Sequence, residues 1–441
     1  MMEPAKRART RGSGLALAVL LATAAPIVST VALTPTAAGA VAPPAFTAYV
    51  ANSGANSLVP VKTKSKKAGA PISLGHAPQT VAITPDGRTA YVVSRIDGKV
   101  IPVDLATGTA GTAIAVGKDP QSIAITPNGK VAYVANSGDD TVTAINLVTN
   151  TPKRRILVSQ FPIDVAIAPN GKTAYVANLN AASIWPIRIA NNTTETPIVL
   201  PFLPWGIVIS PDGSTAYVSD NAAEIVPITL SNNSIGTAIP TGDSVYGGMA
   251  ITPDGKTLFV VNSDNDLVTT IDIATKTATH QINVGDDPTS IAMMPNGRTA
   301  YVTNVNDGTV TPIAVATFTA GPAIPVGGNP LGIAITPDQA PVAQIHATDA
   351  PPGSPTPFDA TGSTVAYGTI THYTWRFGDG TMARTTVPTV HHLYTASGSF
   401  TATVTETSSA GTSLTKVFTG HTMLDNGGPS ARVSTVVVIP T

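Results

Sequence analysis

The side chains able to do acid–base or metal chemistry are few and scattered. The first 340 residues hold two histidines, His76 and His280. A general acid–base site needs such a group within hydrogen-bond reach of a second titratable one. His76 together with Asp164 and nearby loop carboxylates is the combination from which a hydrolase or lyase site could be built. The chain has no cysteine, so disulfides, thiolate metal sites and cysteine nucleophiles are excluded. No Gly-x-Ser-x-Gly elbow, phosphate-binding loop or His-Glu-x-x-His motif occurs. Asn262, Asp264 and Asp266 alternate like the oxygen ligands of a calcium loop, but no bidentate Glu follows at the distance such loops use. Calcium is therefore the one cofactor to weigh, and no catalytic residue or resident metal is expected.

What must position these residues is a repeat. A Pro-Asp/Asn-Gly corner begins at Pro85, Pro127, Pro169, Pro211, Pro253 and Pro295, with Pro337-Asp338 as a seventh, each 42 residues after the last. A fixed period of about 40–45 residues with strand-like content is the signature of a β-propeller with one four-stranded blade per repeat. The chain is read as all-β, with seven blades. In a typical repeat, Ser122 to Ile125 is a doubly apolar innermost strand and Pro127-Asn128-Gly129 a hairpin turn. Val131 to Ala135 is the second strand, Thr141 to Leu147 the third and Arg154 to Val158 the outer one. Tyr49, Tyr91, Tyr133, Tyr175, Tyr217 and Tyr301 recur in phase, with Phe259 substituting once, and are expected to pack blade against blade. Pro60, Pro102, Pro186, Pro227 and Pro312 fall in third strands, where each removes a ladder donor, so pairing with the outermost strand should be weak or irregular.

The register is circularly permuted: Tyr49 precedes the first corner, and the last corner has no tyrosine strand after it. Leu331 to Thr336 should therefore supply the innermost strand of a blade whose other strands come from Phe46 to Leu74, closing the ring and removing a free edge.

The period also gives each loop residue an address. The loops after second strands and after outer strands should share one face, and they carry Asp97, Asp119, Asp139, Asp164, Asp264, Asp286 and other acids, balanced there by Arg95, Lys99 and Lys118. Lys and Arg gather beside the corners of the opposite face. The ring of innermost-strand entrances presents Gln79, Gln121, Ile163, Trp205, Gly247, Thr289 and Leu331, followed by Thr80, Ser122, Asp164, Gly206, Gly248, Ser290 and Gly332. Gln79, Gln121, Asp164, Trp205, Tyr246 and Thr289 are the candidate ligand-binding residues at this channel mouth. Trp205 beside Tyr246 could form an aromatic platform for a sugar ring, or could simply pack at the rim.

Residues 1–40 read as a secretory signal. Lys6, Arg7, Arg9 and Arg11 form a basic start, Leu15 to Ala25 an apolar stretch, and Ala38-Gly39-Ala40 a small-residue cleavage site. An uncleaved anchor is the competing reading. The stretch is short for a membrane span, and no other segment is long and apolar enough. Charged residues are only 12% of the chain, about half the usual share of about 25%. Losing a leader with four basic residues leaves a net acidic protein, with no general attraction for nucleic acid or an anionic membrane. A secreted protein, associated with the cell surface or free, and monomeric, is expected.

The propeller should occupy residues 41–339, and near Ala340 the repeat stops. Trp375-Arg376-Phe377-Gly378-Asp379-Gly380, then Tyr394-x-x-x-Gly398-x-Phe400, with Phe358-Asp359-Ala360-Thr361-Gly362-Ser363 upstream, resemble a PKD domain. The resemblance implies an immunoglobulin-like β-sandwich over residues 340–441. Where that family usually has an acidic stretch after the Phe-Asp motif, this chain has Val365-Ala366-Tyr367-Gly368. Trp375 and Phe377 should share the core face of one strand, Asp379 should serve the turn, and adjacent His391 and His392 should point to opposite faces. Tyr133-Val134-Ala135-Asn136 and Tyr301-Val302-Thr303-Asn304 resemble the YVTN family of β-propellers. That resemblance implies seven blades in a secreted or cell-surface protein, without a defined activity; virginiamycin B lyase is related by architecture. The leading expectation is a non-catalytic binding or scaffold protein for an extracellular glycan, cell wall or protein partner. A propeller lyase or lactonase and a structural surface-layer component are the alternatives.

Overall fold

The computed structural model describes residues 46–75, 77–220, 223–242, 245, 248–337, 343–363, 370–412 and 428–440. The expected secretory signal of residues 1–40, His76 and Tyr246 lie outside the described residues. No helix among those described is long and apolar enough to cross a membrane.

Residues 46–337 form seven antiparallel sheets, the blades of a propeller. Blade 2 shows the pattern: Pro120–Ile125, Val131–Asn136, Thr141–Asn146 and Thr151–Leu157 pair in sequence order. Its outer strand thus begins three residues before the Arg154 expected from the sequence and ends one before Val158. Each innermost strand touches those of both neighbouring blades, which makes a ring. The ring closes as the sequence predicts. Pro330–Ile335 pairs with Thr47–Asn52, placing Ala48 opposite Ile335 and Val50 opposite Ile333. The Thr47 N–H donates to Thr336 Oγ1 at 3.1 Å across 289 positions of sequence.

The core lies between blades. Ile123, Ile125 and Val134 of blade 2 pack with Ala82, Tyr91 and Val93 of blade 1 in one buried cluster. The in-phase tyrosines belong to this packing. Tyr91 donates its hydroxyl to Asn150 Oδ1 and Tyr133 to Asn192 Oδ1, each at 2.6 Å and each in the outer turn of the next blade. Burial pushes the phenols of Tyr91, Tyr133 and Tyr301 up to about 12.

The asparagine that ends each Tyr-Val-x-Asn segment, or Phe-Val-Val-Asn in blade 5, has an equally local cause. Asn52, Asn136, Asn178, Asn262 and Asn304 are wholly buried. Asn136 Oδ1 accepts from Gly117 N at 3.1 Å, while its Nδ2 donates to Thr141 Oγ1 and Thr143 Oγ1. It thereby pins the crossover into its own blade. A Cβ on Gly117 would lie 2.5 Å from Asn136 Cγ, so only glycine fits there.

The third-strand prolines act as the missing donors require. In the five blades holding Pro60, Pro102, Pro186, Pro227 and Pro312, the outer strand is broken into two two-residue pieces, as at Thr109–Ala110 and Ile114–Ala115. In blade 2, with Ala144 at this register, and in blade 5, with Thr270, the outer strands Thr151–Leu157 and Thr277–Asn283 run unbroken for seven residues each.

The C-terminal part is a β-sandwich. One sheet pairs His346–Ala347, Pro355–Asp359 and Thr389–Leu393; the other orders Met382–Thr385, Ile370–Arg376, Gly398–Thr412 and Gly428–Ile439. Trp375 and Phe377 are buried together with Phe358, Tyr373, Tyr394 and Val404 in its core, as alternation along the strand predicts.

Candidate functional site

The channel mouth is built by a repeated irregularity. In blade 2, Pro120 pairs with Asn136 and Ser122 with Ala135, so Gln121 is the extra residue of a β-bulge. The same slip isolates Gln79, Ile163, Trp205, Thr289 and Leu331 in their blades. A bulge bends its strand and re-aims one side chain. Here it turns one residue towards the axis in each of six blades. A proline opens each of these strands, at Pro78, Pro120, Pro162, Pro204, Pro288 and Pro330.

Together these residues line a cavity of about 270 Å³, with Thr80, Ser122, Asp164, Gly206, Gly248, Ser290 and Gly332 in its wall. Five of the six candidate residues are therefore brought to one place. The sixth, Tyr246, falls outside the described residues, as does His76, so no aromatic pair with Trp205 and no His76–Asp164 pair is on view.

Asp164 is the one ionisable group of this lining, and its carboxylate is engaged in the wall. Oδ1 accepts from Ser122 Oγ at 2.6 Å and from Val165 N at 2.9 Å, and Oδ2 accepts from Ile207 N at 2.9 Å. It ties blade 3 to both neighbours. The amide of Gln121 donates to Asp119 Oδ2 at 3.1 Å and to Ser137 Oγ at 3.0 Å. Thr289 Oγ1 donates to the Leu331 carbonyl at 3.2 Å in the next blade. Sequence reasoning missed the second-strand hydroxyls that back this wall. Ser219 Oγ accepts from Gly206 N, and Thr303 Oγ1 accepts from Ser290 N and donates to the Leu331 carbonyl. The signal available for them was the hydroxyl residue before the terminal Asn or Asp of those segments.

The acidic rim is partly neutralised. Arg95 pairs with Asp119, and that hydrogen bond, aided by Ser137 and opposed by burial, holds the Asp119 carboxyl below the usual range. Asp139 is paired with Arg155 at 3.0 Å, a partner reaching in from blade 2's outer strand that the loop-by-loop tally overlooked. Asp287 behaves differently. Burial, then repulsion from Asp286, Asp266 and Asp264, raises its carboxyl. Asn262, Asp264 and Asp266, the alternation that resembles a calcium loop, lie at the end of one strand and in the turn that follows it. Asn262 is buried and accepts from Thr269 Oγ1 at 2.9 Å, Asp264 sits in the short 3-10 turn Ser263–Asn265, and Asp266 Oδ1 accepts from Asp287 N at 2.9 Å. Among the described residues, no group of three or more His, Asp or Glu is placed to hold a metal ion.

In the sandwich, Asp379 accepts from Thr381 N and Thr381 Oγ1, as a turn residue should. It also lies 2.7 Å from His392 Nε2, whose ring stacks on Phe377 at 3.9 Å between centroids. Burial opposes ionisation of Asp379, but the bonds from Thr381 and His392 prevail and lower its pKa. This pairing was not visible in the sequence, because a turn of one sheet and a strand of the other, 13 positions apart, meet only where the two sheets pack. His391, its neighbour, stands on the alternate face of the strand, as expected.

Residues 338–422 match the PKD domain family. The chain is also similar to several solved propellers. A functionally unknown protein from Desulfotomaculum acetoxidans aligns with TM-score 0.58 at 16% identity, covering 66% of this chain and 98% of that one. A periplasmic gluconolactonase from Pseudomonas aeruginosa aligns with TM-score 0.57 at 17% identity, covering 66% and 99%. Hydrazine synthase of Kuenenia stuttgartiensis aligns with TM-score 0.53 at 20% identity, covering 66% and 96%. At such identities the likeness shows the fold. No curated protein sequence matches the chain.

Proposed function

We propose that this propeller with a PKD domain is a non-catalytic extracellular binding protein whose channel mouth receives a neutral, hydroxyl-rich ligand such as a glycan. The observation that carries this reading is the chemistry of the cavity. Amides, hydroxyls and one indole line it beside the aliphatic Ile163, Ile207, Met249 and Leu331, while Asp164 is held by three hydrogen bonds within the wall. Amides and hydroxyls donate and accept in pairs as sugar hydroxyls do, and a half-buried Trp205 offers an apolar face to a ring. A carboxylate already accepting three hydrogen bonds is a poor general base, because its lone pairs are directed at other partners. Export fits the cysteine-free, leader-bearing sequence, and a periplasmic relative in fold and the PKD domain accord with it.

The test is a glycan array and a cell-wall pulldown with the mature protein, repeated with Trp205→Ala and Gln121→Ala. Saturable binding that falls in both variants supports the reading. Binding that is absent, or indifferent to both, overturns it. The second reading, a lactonase-type enzyme, draws on the gluconolactonase likeness. Turnover of gluconolactone that is lost in Asp164→Asn would favour it.

A further inference from the structure

Five of the seven outer strands are interrupted opposite a third-strand proline, and two are not. An unbroken outer strand offers a row of unpaired N–H and C=O groups to any extended segment that reaches it, and proline or a break in the strand removes that template. The two unbroken edges differ in chemistry. In blade 5, Thr277–Asn283 carries no Asp, Glu, Lys or Arg, and His280 is stacked on Phe318 of the next blade at 4.1 Å. In blade 2, Thr151–Leu157 has Pro152 near its start and then carries Lys153, Arg154 and Arg155 in succession, all exposed, so the proline-free part of the edge lies beyond Pro152.

Arg155 is committed to Asp139 and to the Val116 carbonyl. No carboxylate among the described residues pairs with Lys153 or Arg154. These two are the bulged residues opposite Ala144, whereas Arg155 to Leu157 keep regular register with Thr141 to Thr143. At the two ends of this edge lie Val148, 76% exposed, and Leu157, 74% exposed, two of the most exposed large apolar side chains of the described residues. Backbone groups, two uncommitted cations and flanking apolar side chains thus share one edge of an otherwise weakly charged protein.

We infer that the outer edge of blade 2 is a strand-addition site for an extended acidic segment of a partner protein. The regular stretch supplies the hydrogen-bond ladder, Lys153 and Arg154 select acidic side chains, and Leu157 and Val148 receive apolar ones. The site is independent of the channel mouth and stands whether or not that cavity binds a glycan.

The contrasting role for cations on an edge is to repel added strands, and one experiment separates the two. Fluorescence anisotropy of the full chain is measured with a labelled strand peptide of about eight residues alternating Glu and Val, and with its Lys/Val counterpart. The Glu/Val peptide should bind saturably and more weakly at high salt, and the Lys/Val peptide should not bind. Ala144→Pro copies the residue five blades already carry at this register, and it should break the outer strand and weaken binding by about tenfold or more. Thr270→Pro, in blade 5, should leave binding unchanged. The double variant Lys153→Glu/Arg154→Glu should abolish it, and decides the matter if Ala144→Pro does not fold. No saturable binding of the Glu/Val peptide, or binding insensitive to charge reversal, overturns the inference.

Discussion

Ser122 Oγ lies 2.6 Å from Asp164 Oδ1, a bond between two residues one 42-residue repeat apart. They occupy the same position in adjacent blades, so different residues at one repeat position make a hydrogen bond between copies. With Ile207 N on the other oxygen, Asp164 joins three blades at the axis. Asp164→Ala leaves the buried Ser122 hydroxyl and the Ile207 N–H without this acceptor. The expected loss is about 1–3 kcal/mol of stability, read as a lower midpoint in urea unfolding. An unchanged midpoint would show that water replaces the carboxylate and that the staple carries no weight.

Ring closure makes the first described residues part of the last blade. Deleting residues 41–75 should expose the innermost strand Pro330–Ile335 and a face of buried apolar side chains. Size-exclusion chromatography is expected to show aggregation. A monomer with the parent melting curve would contradict the closure energetics.

Tyr133 fills the space between blades 2 and 3 and donates to Asn192. Tyr133→Phe should cost about 0.5–1.5 kcal/mol for the hydrogen bond, and Tyr133→Ala about 3–5 kcal/mol for the cavity. Alkaline difference spectroscopy supplies a second check. The phenols of Tyr91, Tyr133 and Tyr301, held near 12 by burial, should ionise well after free tyrosine.

His392 is stacked on Phe377 and bonded to Asp379. His392→Phe keeps the stack and loses the bond, whereas His392→Ala loses both. The Ala variant should be the less stable, by about 1–2 kcal/mol relative to the parent. Because Asp379 is held below its ordinary range, its contribution is present above the unfolded carboxyl pKa and disappears as pH falls through the folded value. Denaturation of the Asp379→Asn variant should therefore lack an acid-side loss that the parent shows.

Asp287 carries the opposite sign. Its raised carboxyl means that ionisation is disfavoured in the folded state, so its effect is least unfavourable below the ordinary carboxyl range and becomes a penalty as pH rises through the folded value. Asp287→Asn should stabilise the protein at neutral pH by a small amount, about 0.5 kcal/mol or less for a carboxylate that solvent still partly screens. The gain should shrink with added salt. Its backbone at φ 54° suits asparagine, so the swap brings no new strain.

Much of this architecture was readable in advance because a repeat converts sequence position into spatial address. The blade number, the closure through Tyr49 and Pro337, and the broken outer strands opposite Pro60 or Pro102 follow from period and donor count alone. The composition of the channel ring follows too, since Gln79, Gln121, Ile163, Trp205, Thr289 and Leu331 are spaced by whole repeats. What stayed hidden was direction. Nothing in the period says that each of these residues is bulged, and the bulge is what aims it at the axis. The partnership of Arg155 with Asp139 within blade 2 was equally hidden, because an outer strand and a loop of the same repeat meet only once the sheet has formed.

The bond from Thr47 to Thr336 also sets a timetable. A chain that emerges N-terminus first presents Thr47–Asn52 and Ser57–Lys62 long before the innermost strand Pro330–Ile335, the partner of Thr47–Asn52, exists. Six blades can be completed from local hairpins as they appear, but the seventh must wait through the emergence of nearly the whole propeller with one face and one edge uncovered. Contacts of such separation close slowly, and waiting edges attract other chains. The clasp that stabilises the finished ring therefore makes its opening strands the segment most in need of chaperoning during synthesis.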